Sequence, residues 1–340
     1  MDYEESVLSL HPLVVDLDGT LIRTDMLHES ALRVLRDNPF DTIYIPYWLS
    51  RGKAVLKRHL AHRTDFDPSS LPYNHDLLKW LQQQRIQGRK LVLCTASDLS
   101  IATAISEYLG VFDEVIASDG TTNLSGKLKA DVLEQRFGHA GFDYAGNSHA
   151  DLQVWQRSRR AVVVNASEDL ARKAEACCEV ERVFPSSALG FAAWLQVLRV
   201  HQWLKNLLLF VPIFAAHQLT NPDIWLALIL AFFSFSLCAS SVYIVNDLMD
   251  LESDRQHPRK CNRPFASGLV PAWVGVVLAP LLLLSSLTLA QHVGGSFFPW
   301  LLCYFFLTCA YSWVLKRFML VDCLTLAMLY TLRIVAGNAA

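Results

Sequence analysis

Two hydrophobic rhythms divide the chain. In the first part, short apolar runs end in small or acidic residues: "LVVDLDGT" at 13–20, "KLVLCTAS" at 90–97 and "RAVVVNAS" at 160–167. Each has strand length and runs into a turn, while stretches between them, such as Asp76 to Gln87 and Ser100 to Tyr108, are helical in pattern. Strands alternating with helices predict a Rossmann-like α/β unit, a parallel sheet covered on both faces, with ligands at the carboxyl ends of its strands. The interval from Asp25 to Asn74 is longer than one crossover needs. Its "ESALRVLRD" and "GKAVLKRHLAH" predict a small helical cap over the strand ends.

The second rhythm starts after Phe184-Pro185-Ser186-Ser187. An amphipathic lead-in, Leu189 to Val200, precedes apolar runs at about 207–216, 224–245, 273–292, 297–314 and 320–336. A bilayer core takes roughly 20 residues of helix. About five runs in succession predict an all-α, multi-pass transmembrane domain over 187–340, following an α/β domain over 1–186.

Charge sharpens this division. Residues up to Gly190 carry a net charge of −5 and those from Phe191 onward +3, so the total of −2 conceals an acidic half and a basic half. The basic residues form no stripe with interleaved aromatics, which excludes nucleic acid as a partner. They do orient the chain: Arg199 and Lys205 precede the first run, the cluster at 255–263 follows the second, and Lys316-Arg317 follow the fourth. The loops at 217–223 and 293–296 have neither Lys nor Arg. The positive-inside rule then predicts a multi-pass protein of the cell inner (plasma) membrane with its N-terminal domain cytoplasmic. "MDYEESVLSL" lacks the order of a secretory signal, and the eight Cys residues, with no C-x-x-C pair, read as reduced packing thiols.

Two places carry candidate chemistry. Asp16 and Asp18 flank Leu17 at a strand end, and carboxylates this close need a cation or a shared proton, which makes Mg2+ a natural partner. One of them can attack an electrophilic phosphorus while the other handles the leaving-group proton. In "NDLMDLESDRQHPRKCNRP", 246–264, Asp247, Asp250 and Asp254 recur at three and four residues and share a helix face. Pro258 disfavours further helix, leaving Arg259, Lys260 and Arg263 on a nearby loop. Mg2+ held by the three aspartates would balance a pyrophosphate, with Arg255, Arg259, Lys260 and Arg263 clamping its other oxygens. The bland alternative is a solvated loop of ion pairs. Arg333 is a charge inside an apolar run and must face a polar cavity or partner, or snorkel. Asp322 is placed to pair with Lys316 or Arg317.

"DLDGT", Thr95 at the second strand end, Lys127 in "SGKLKADVL" and "YAGNSHADLQVW" at 144–155 together resemble the haloacid dehalogenase-like superfamily over about residues 10–185. The resemblance implies a phosphatase in which Asp16 is the nucleophile, Asp18 the acid/base, Thr95 and Lys127 the phosphate clamps, and Asn147 and Asp151 the metal end beside Asp16 and Asp18. Lys129 is the weaker candidate for the lysine. Asn147 departs from the family, which usually has Asp there, so metal affinity is expected to fall.

"NDLMDLESDRQHPRKCNRPFASG" resembles the first aspartate motif of the UbiA prenyltransferase superfamily. The D-R-x-H-P-x-K-x-x-R-P continuation, "RVHQWLKNLLLF", "YSWVLKR" and "LYTLRIVAGNAA" look like its decaprenyl-phosphate phosphoribosyltransferase branch. This implies a membrane transferase moving phosphoribose from phosphoribosyl pyrophosphate to a polyprenyl phosphate, with Mg2+ as cofactor. Asn246, Asp247, Asp250 and Asp254 would form the Mg-pyrophosphate end, and Lys205, Arg255, Lys260, Arg263 and Arg333 the substrate-binding partners. The alternatives are an aromatic-acceptor enzyme using a polyprenyl pyrophosphate, or a non-catalytic membrane-tethered module. The third follows from a second departure: the resemblance stops after about five spans, where the superfamily has about nine and a second aspartate motif. The expectation is a partial chain, or a transferase half that does not act alone.

Overall fold

The computed structural model describes residues 11–186, 189–313, 315 and 318–340. Residues 1–10, Lys316, Arg317 and the expected domain boundary at residue 187 lie outside them. The chain divides into two compact units, Met1–Ala188 with Ser267–Leu269, and Leu189–Ala266 with Val270–Ala340.

The first unit begins with β1 (Leu13–Val15), followed by α1 (Met26–Asp37), α2 (Ile45–Ser50), α3 (Lys53–Ala61) and α4 (His75–Ile86). Then come β2 (Leu91–Asp98), α5 (Leu99–Leu109), β3 (Glu114–Ser118), α6 (Lys127–Phe137), β4 (Asp143–Gly146), α7 (Leu152–Trp155), β5 (Arg160–Ala166), α8 (Glu168–Cys177) and β6 (Glu179–Pro185). All six strands are parallel, in the order β3-β2-β1-β4-β5-β6. Period-two alternation builds two cores from the same strands. Leu13, Val15, Leu91, Leu93, Val162 and Val164 face one side with Leu77, Trp80 and Ile105. Val14, Val92, Cys94, Ala161 and Val163 face the other with Leu133, Trp155 and Leu170. Helices α1 to α3 form the expected cap, around Val34, Trp48, Leu56 and Leu60.

The expected α/β class is therefore observed, with three strands that the sequence pattern did not reveal. β3 and β6 lie at the sheet edges, where one residue of each is buried, so β3 keeps only the short run Val115–Ala117 and β6 mixes charged with apolar residues. β4 is only Asp143–Gly146, and an acid opens it; Asp143 is fully buried because Arg89 and Arg159 both bind its carboxylate.

Among its described residues the second unit's regular elements are all helices. After α9 (Phe191–Val197), residues Val200–Phe210 form a 3-10 segment that leads into α10 (Val211–Ala215). There follow α11 (Pro222–Met249), α12 (Leu251–Gln256), α13 (Ala272–Val293), α14 (Phe297–Trp313) and α15 (Met319–Ala339). Among the described residues three helices are long and apolar enough to cross a membrane, 222–249, 272–293 and 320–339, and 297–312 is a shorter apolar helix. Four of the five or so expected runs are thus apolar helices. The first expected span, 207–216, is not one α-helix: it straddles the end of the 3-10 segment and the five-residue α10, joined where Pro212 is tolerated in a first helical turn. The unit reads as an integral membrane protein.

Small and polar residues hold these helices together, as expected where lipid removes the hydrophobic drive between them. The Ser234 hydroxyl donates to the Ser286 carbonyl at 2.9 Å, Ser286 donates back to the Ser234 carbonyl at 2.7 Å, and Ser241 donates to the Ala279 carbonyl at 2.7 Å, tying α11 to α13. Gly337 lets α15 meet the 3-10 segment, since a Cβ there would lie 2.1 Å from the Leu209 carbonyl oxygen.

Candidate functional site

In the α/β unit, the chain leaves central strand β1 and immediately places Asp16, with Asp18 two residues on. Gly19 turns the backbone at φ +76°, and a Cβ there would meet the Asn147 amide nitrogen at 2.1 Å, so the turn admits glycine on two counts. Thr20 donates to Asp16 Oδ2 at 3.5 Å and to Asn147 Oδ1 at 3.3 Å, which brings β1 and the end of β4 to one point. Asp18 accepts from the Met26 amide at 2.8 Å, from Ser97 at 2.7 Å and from Thr95 at 3.5 Å.

The lysine at this point is Lys129. Its ammonium lies 2.6 Å from Asp16 Oδ1 and donates to the Tyr144 hydroxyl at 3.0 Å, which in turn donates to Asp151 Oδ1 at 2.8 Å. Lys127, the residue expected there, is exposed at the first position of α6. The placement is corrected to Lys129 because two residues of helix, about 200° of rotation, carry a side chain to the opposite face. Asp151 lies behind the others. Its Oδ2 accepts from the Asn147 and Ser148 amides and the Ser148 hydroxyl, at 3.0, 2.9 and 2.8 Å, so it fixes the loop that presents Asn147.

The electrostatics follow from burial. Asp16 is raised to about 7, chiefly by desolvation, with Lys129 opposing and the Asp151 and Asp18 charges adding. Asp18 is also raised, by burial and then by Asp25. Burial works against the charge of Lys129, but Asp16 and Asp151 outweigh it, so the ammonium is held above the usual lysine range. Of these three carboxylates, Asp16 pairs directly with the Lys129 ammonium, Asp151 is linked to it through Tyr144, and Asp18 is held by hydrogen bonds from Met26, Ser97 and Thr95. That excess of negative charge, with the Asn147 amide oxygen turned to the same point, fits a divalent cation beside Asp16, Asp18 and Asn147.

In the helical unit, Asp247 and Asp254 lie seven residues apart on α11 and α12, and are 5% and 1% exposed. One atom, Arg263 Nη1, touches both, at 3.1 Å from Asp247 Oδ1 and 2.5 Å from Asp254 Oδ2. Arg199 pairs with Asp247, and Lys260 stands 3.6 Å from Asp254 Oδ1, a buried oxygen that accepts no hydrogen bond. A cationic nitrogen between two buried carboxylates, beside an unsatisfied oxygen, marks a place that a metal ion would fit. Asp250 falls where α11 gives way to α12, and Arg255 donates to the Ala266 carbonyl at 3.1 Å. Asn246 donates to Ser312 at 2.9 Å, at the edge of an apolar crevice of about 290 Å³ between α11, α13 and α14.

Two expected substrate residues lie apart from these aspartates. Lys205 is exposed on the 3-10 segment. Arg333, 6% exposed, donates to Asn206 Oδ1 at 2.9 Å, the Leu329 carbonyl at 2.6 Å and the Tyr304 hydroxyl at 3.1 Å, while Asn206 donates on to Ser236. It is a partnered charge that links α15, α14, α11 and the 3-10 segment. Asp322 accepts from Tyr311 at 2.8 Å; its expected partners lie outside the described residues. Sequence reasoning missed Arg199, Ser97 and Tyr144 as site residues. Each lies in a quoted stretch, Ser97 at the end of "KLVLCTAS", Tyr144 at the start of "YAGNSHADLQVW" and Arg199 in "RVHQWLKNLLLF", but was not singled out for a site role.

Comparison with known proteins places the helical unit in a class. Residues 206–340 match the model of the UbiA prenyltransferase family, so the chain carries a UbiA-family domain in its C-terminal part. A relative described as uncharacterized protein y4nM, from Sinorhizobium fredii, is 38% identical over 329 residues, covering 96% of this chain and 63% of its own. The decaprenyl-phosphate phosphoribosyltransferase of Mycolicibacterium smegmatis is 33% identical over 150 residues, 43% of this chain and 47% of that protein. The chain therefore spans less than two-thirds of the length of these curated relatives. Among solved structures, a substrate-bound phosphoserine phosphatase aligns over 53% of this chain and 95% of that one, at 13% identity and a TM-score of 0.38.

Proposed function

We propose that this chain carries the pyrophosphate-binding end of a membrane transferase that moves phosphoribose from phosphoribosyl pyrophosphate to a polyprenyl phosphate, joined to a phosphohydrolase unit. The observation that carries the reading is the meeting of Asp247 and Asp254 on Arg263, within the stretch, residues 206–340, that matches the UbiA prenyltransferase family model. In this reading Asp247, Asp254, Asp250 and Asn246 would hold Mg2+, which when bound would offset the charge of the departing pyrophosphate. Arg263, Lys260 and Arg199 then turn from the aspartates to phosphate oxygens, in charge-assisted hydrogen bonds. Arg255 joins them, and the crevice beside Asn246 takes up apolar chain. Lys205 and Arg333 act from outside this cluster, Arg333 by fixing the helices that frame it.

In the hydrolase unit Asp16 attacks phosphorus, the ester oxygen leaves with a proton from Asp18, and Asp18 then takes a proton from the water that cleaves the aspartyl phosphate. Lys129 and Thr95 hold the phosphoryl oxygens. Asp16, Asp18 and Asn147 would hold Mg2+, which when bound would offset the charge of the phosphoryl group, with Asp151 fixing the Asn147 loop. The arrangement of basic residues supports an inner (plasma) membrane location with the hydrolase unit in the cytoplasm.

The test supplies membranes containing the chain with labelled phosphoribosyl pyrophosphate, polyprenyl phosphate and Mg2+. Label in the lipid extract, lost in Asp247→Asn and Asp254→Asn, is expected. Transfer from a polyprenyl pyrophosphate to an aromatic acid would replace this reading with the aromatic-acceptor one, and no transfer from either donor would remove catalysis from this chain.

A further inference from the structure

The cap sends one cation toward the hydrolase centre. On α3, Ala54, Leu56 and Leu60 are buried, and Leu56 and Leu60 pack into the cap core with Val34 and Trp48. Lys57 lies beside that apolar stripe and extends to the strand ends, where its ammonium donates to the Ala96 carbonyl at 2.7 Å and to Asn123 Oδ1 at 3.3 Å. Both partners are neutral oxygens, although Asp18, Asp25 and Asp16 act on it through space, with Lys129 opposing. Lys57 also lines a small cavity with Ser30, Ser97 and Asp98 against a wall of Met26, Leu27, Leu60 and Ile101. Ser97 is the residue that donates to Asp18, so this cavity adjoins the residue read as the acid/base. Its volume is about 10 Å³, scarcely room for one water, so a substrate enters it only when the cap lifts.

A half-buried ammonium has given up water and gained only neutral acceptors, which leaves it able to form a stronger, charge-assisted bond to an anion. We infer that Lys57 binds a second anionic group of the substrate, so that the hydrolase unit takes phosphomonoesters bearing another phosphate or a carboxylate near the scissile ester. This rests on the phosphohydrolase reading and narrows its substrate class. A lysine that merely fastened the cap would affect every substrate alike, because the cap closes over all of them.

The experiment uses the full chain in detergent with Mg2+ and four probes: p-nitrophenyl phosphate, ribose 5-phosphate, phosphoglycolate and ribose 1,5-bisphosphate. Lys57→Met is expected to raise KM about tenfold or more for a doubly anionic probe, the worth of one hydrogen bond between charged groups, with kcat nearly unchanged. For the two probes without a second anion, KM should stay within about twofold, and Lys57→Arg should restore most of the selective loss. A selective loss on ribose 1,5-bisphosphate identifies a second phosphate; one on phosphoglycolate identifies a carboxylate. An equal effect on all four probes, or none, overturns the inference while leaving the phosphohydrolase reading intact. If the unsubstituted chain hydrolyses none of the four, that reading falls and the inference falls with it.

Discussion

The sharpest test of the α/β centre compares two lysines two residues apart. Lys129→Met keeps most of the side-chain volume but removes the contacts at 2.6 Å to Asp16 and 3.0 Å to Tyr144. Asp16 would then remain buried near Asp151 and Asp18 with its closest cation gone. Breaking a buried ion pair generally costs about 3–5 kcal/mol. Asp16 already titrates near 7, so it escapes by keeping a proton, and the loss should fall toward the lower end, about 3 kcal/mol. Turnover should suffer separately. Loss of one cationic donor at the phosphoryl oxygens is worth about 10²–10³ in kcat. Lys127→Met alters an exposed helix start and should change stability by no more than about 0.5 kcal/mol. The assays are Mg-dependent release of phosphate from p-nitrophenyl phosphate by the full chain, and hydrogen exchange of peptides spanning β1 and β4. Normal turnover in Lys129→Met together with loss in Lys127→Met would refute the geometry on which this centre is built.

Three further outcomes are expected. Asn147→Asp adds a negative charge to the metal end, so the Mg2+ concentration for half-maximal phosphatase activity should fall about tenfold, while the chelated protein becomes less stable. With metal chelated, Asp16 binds its proton more tightly in the folded chain than in the unfolded one. Its stabilising contribution is therefore full below the ordinary 3.8 and is lost as pH rises through about 7, so β1 exchange protection should decline over that window and Asp16→Asn should flatten the decline. Arg333→Leu strands the Asn206 carbonyl and the Tyr304 hydroxyl in the helical unit, for a loss of about 2–4 kcal/mol seen as a lower Tm in detergent, and Arg333→Lys should restore little because one ammonium cannot reproduce the three-way fork.

Hydrophobic pattern alone determined the two kinds of unit in this protein. Strand-length runs such as Leu91 to Cys94 alternate between two cores, and a run as long as Ile224 to Val245 has no stable place but a helix, so both follow from local period and length. The pairs Asp16/Asp18 and Asp247/Asp254 were legible too, because each lies close in sequence at the end of a regular element. What tertiary structure decided was which distant residues meet them. Lys129 comes from 113 positions away from Asp16, and Arg199 from 48 positions before Asp247. Helix phase selects Lys129 over Lys127, and chain packing brings Arg199 rather than Lys205 to the aspartates. Arg333 shows the same limit: its charge in an apolar run announced a partner, but only the packing of α15 on the 3-10 segment supplied Asn206. Edge strands β3 and β6 escaped notice because half-buried and exposed residues leave little pattern, and β4 because the arginines that neutralise Asp143 lie elsewhere in the chain.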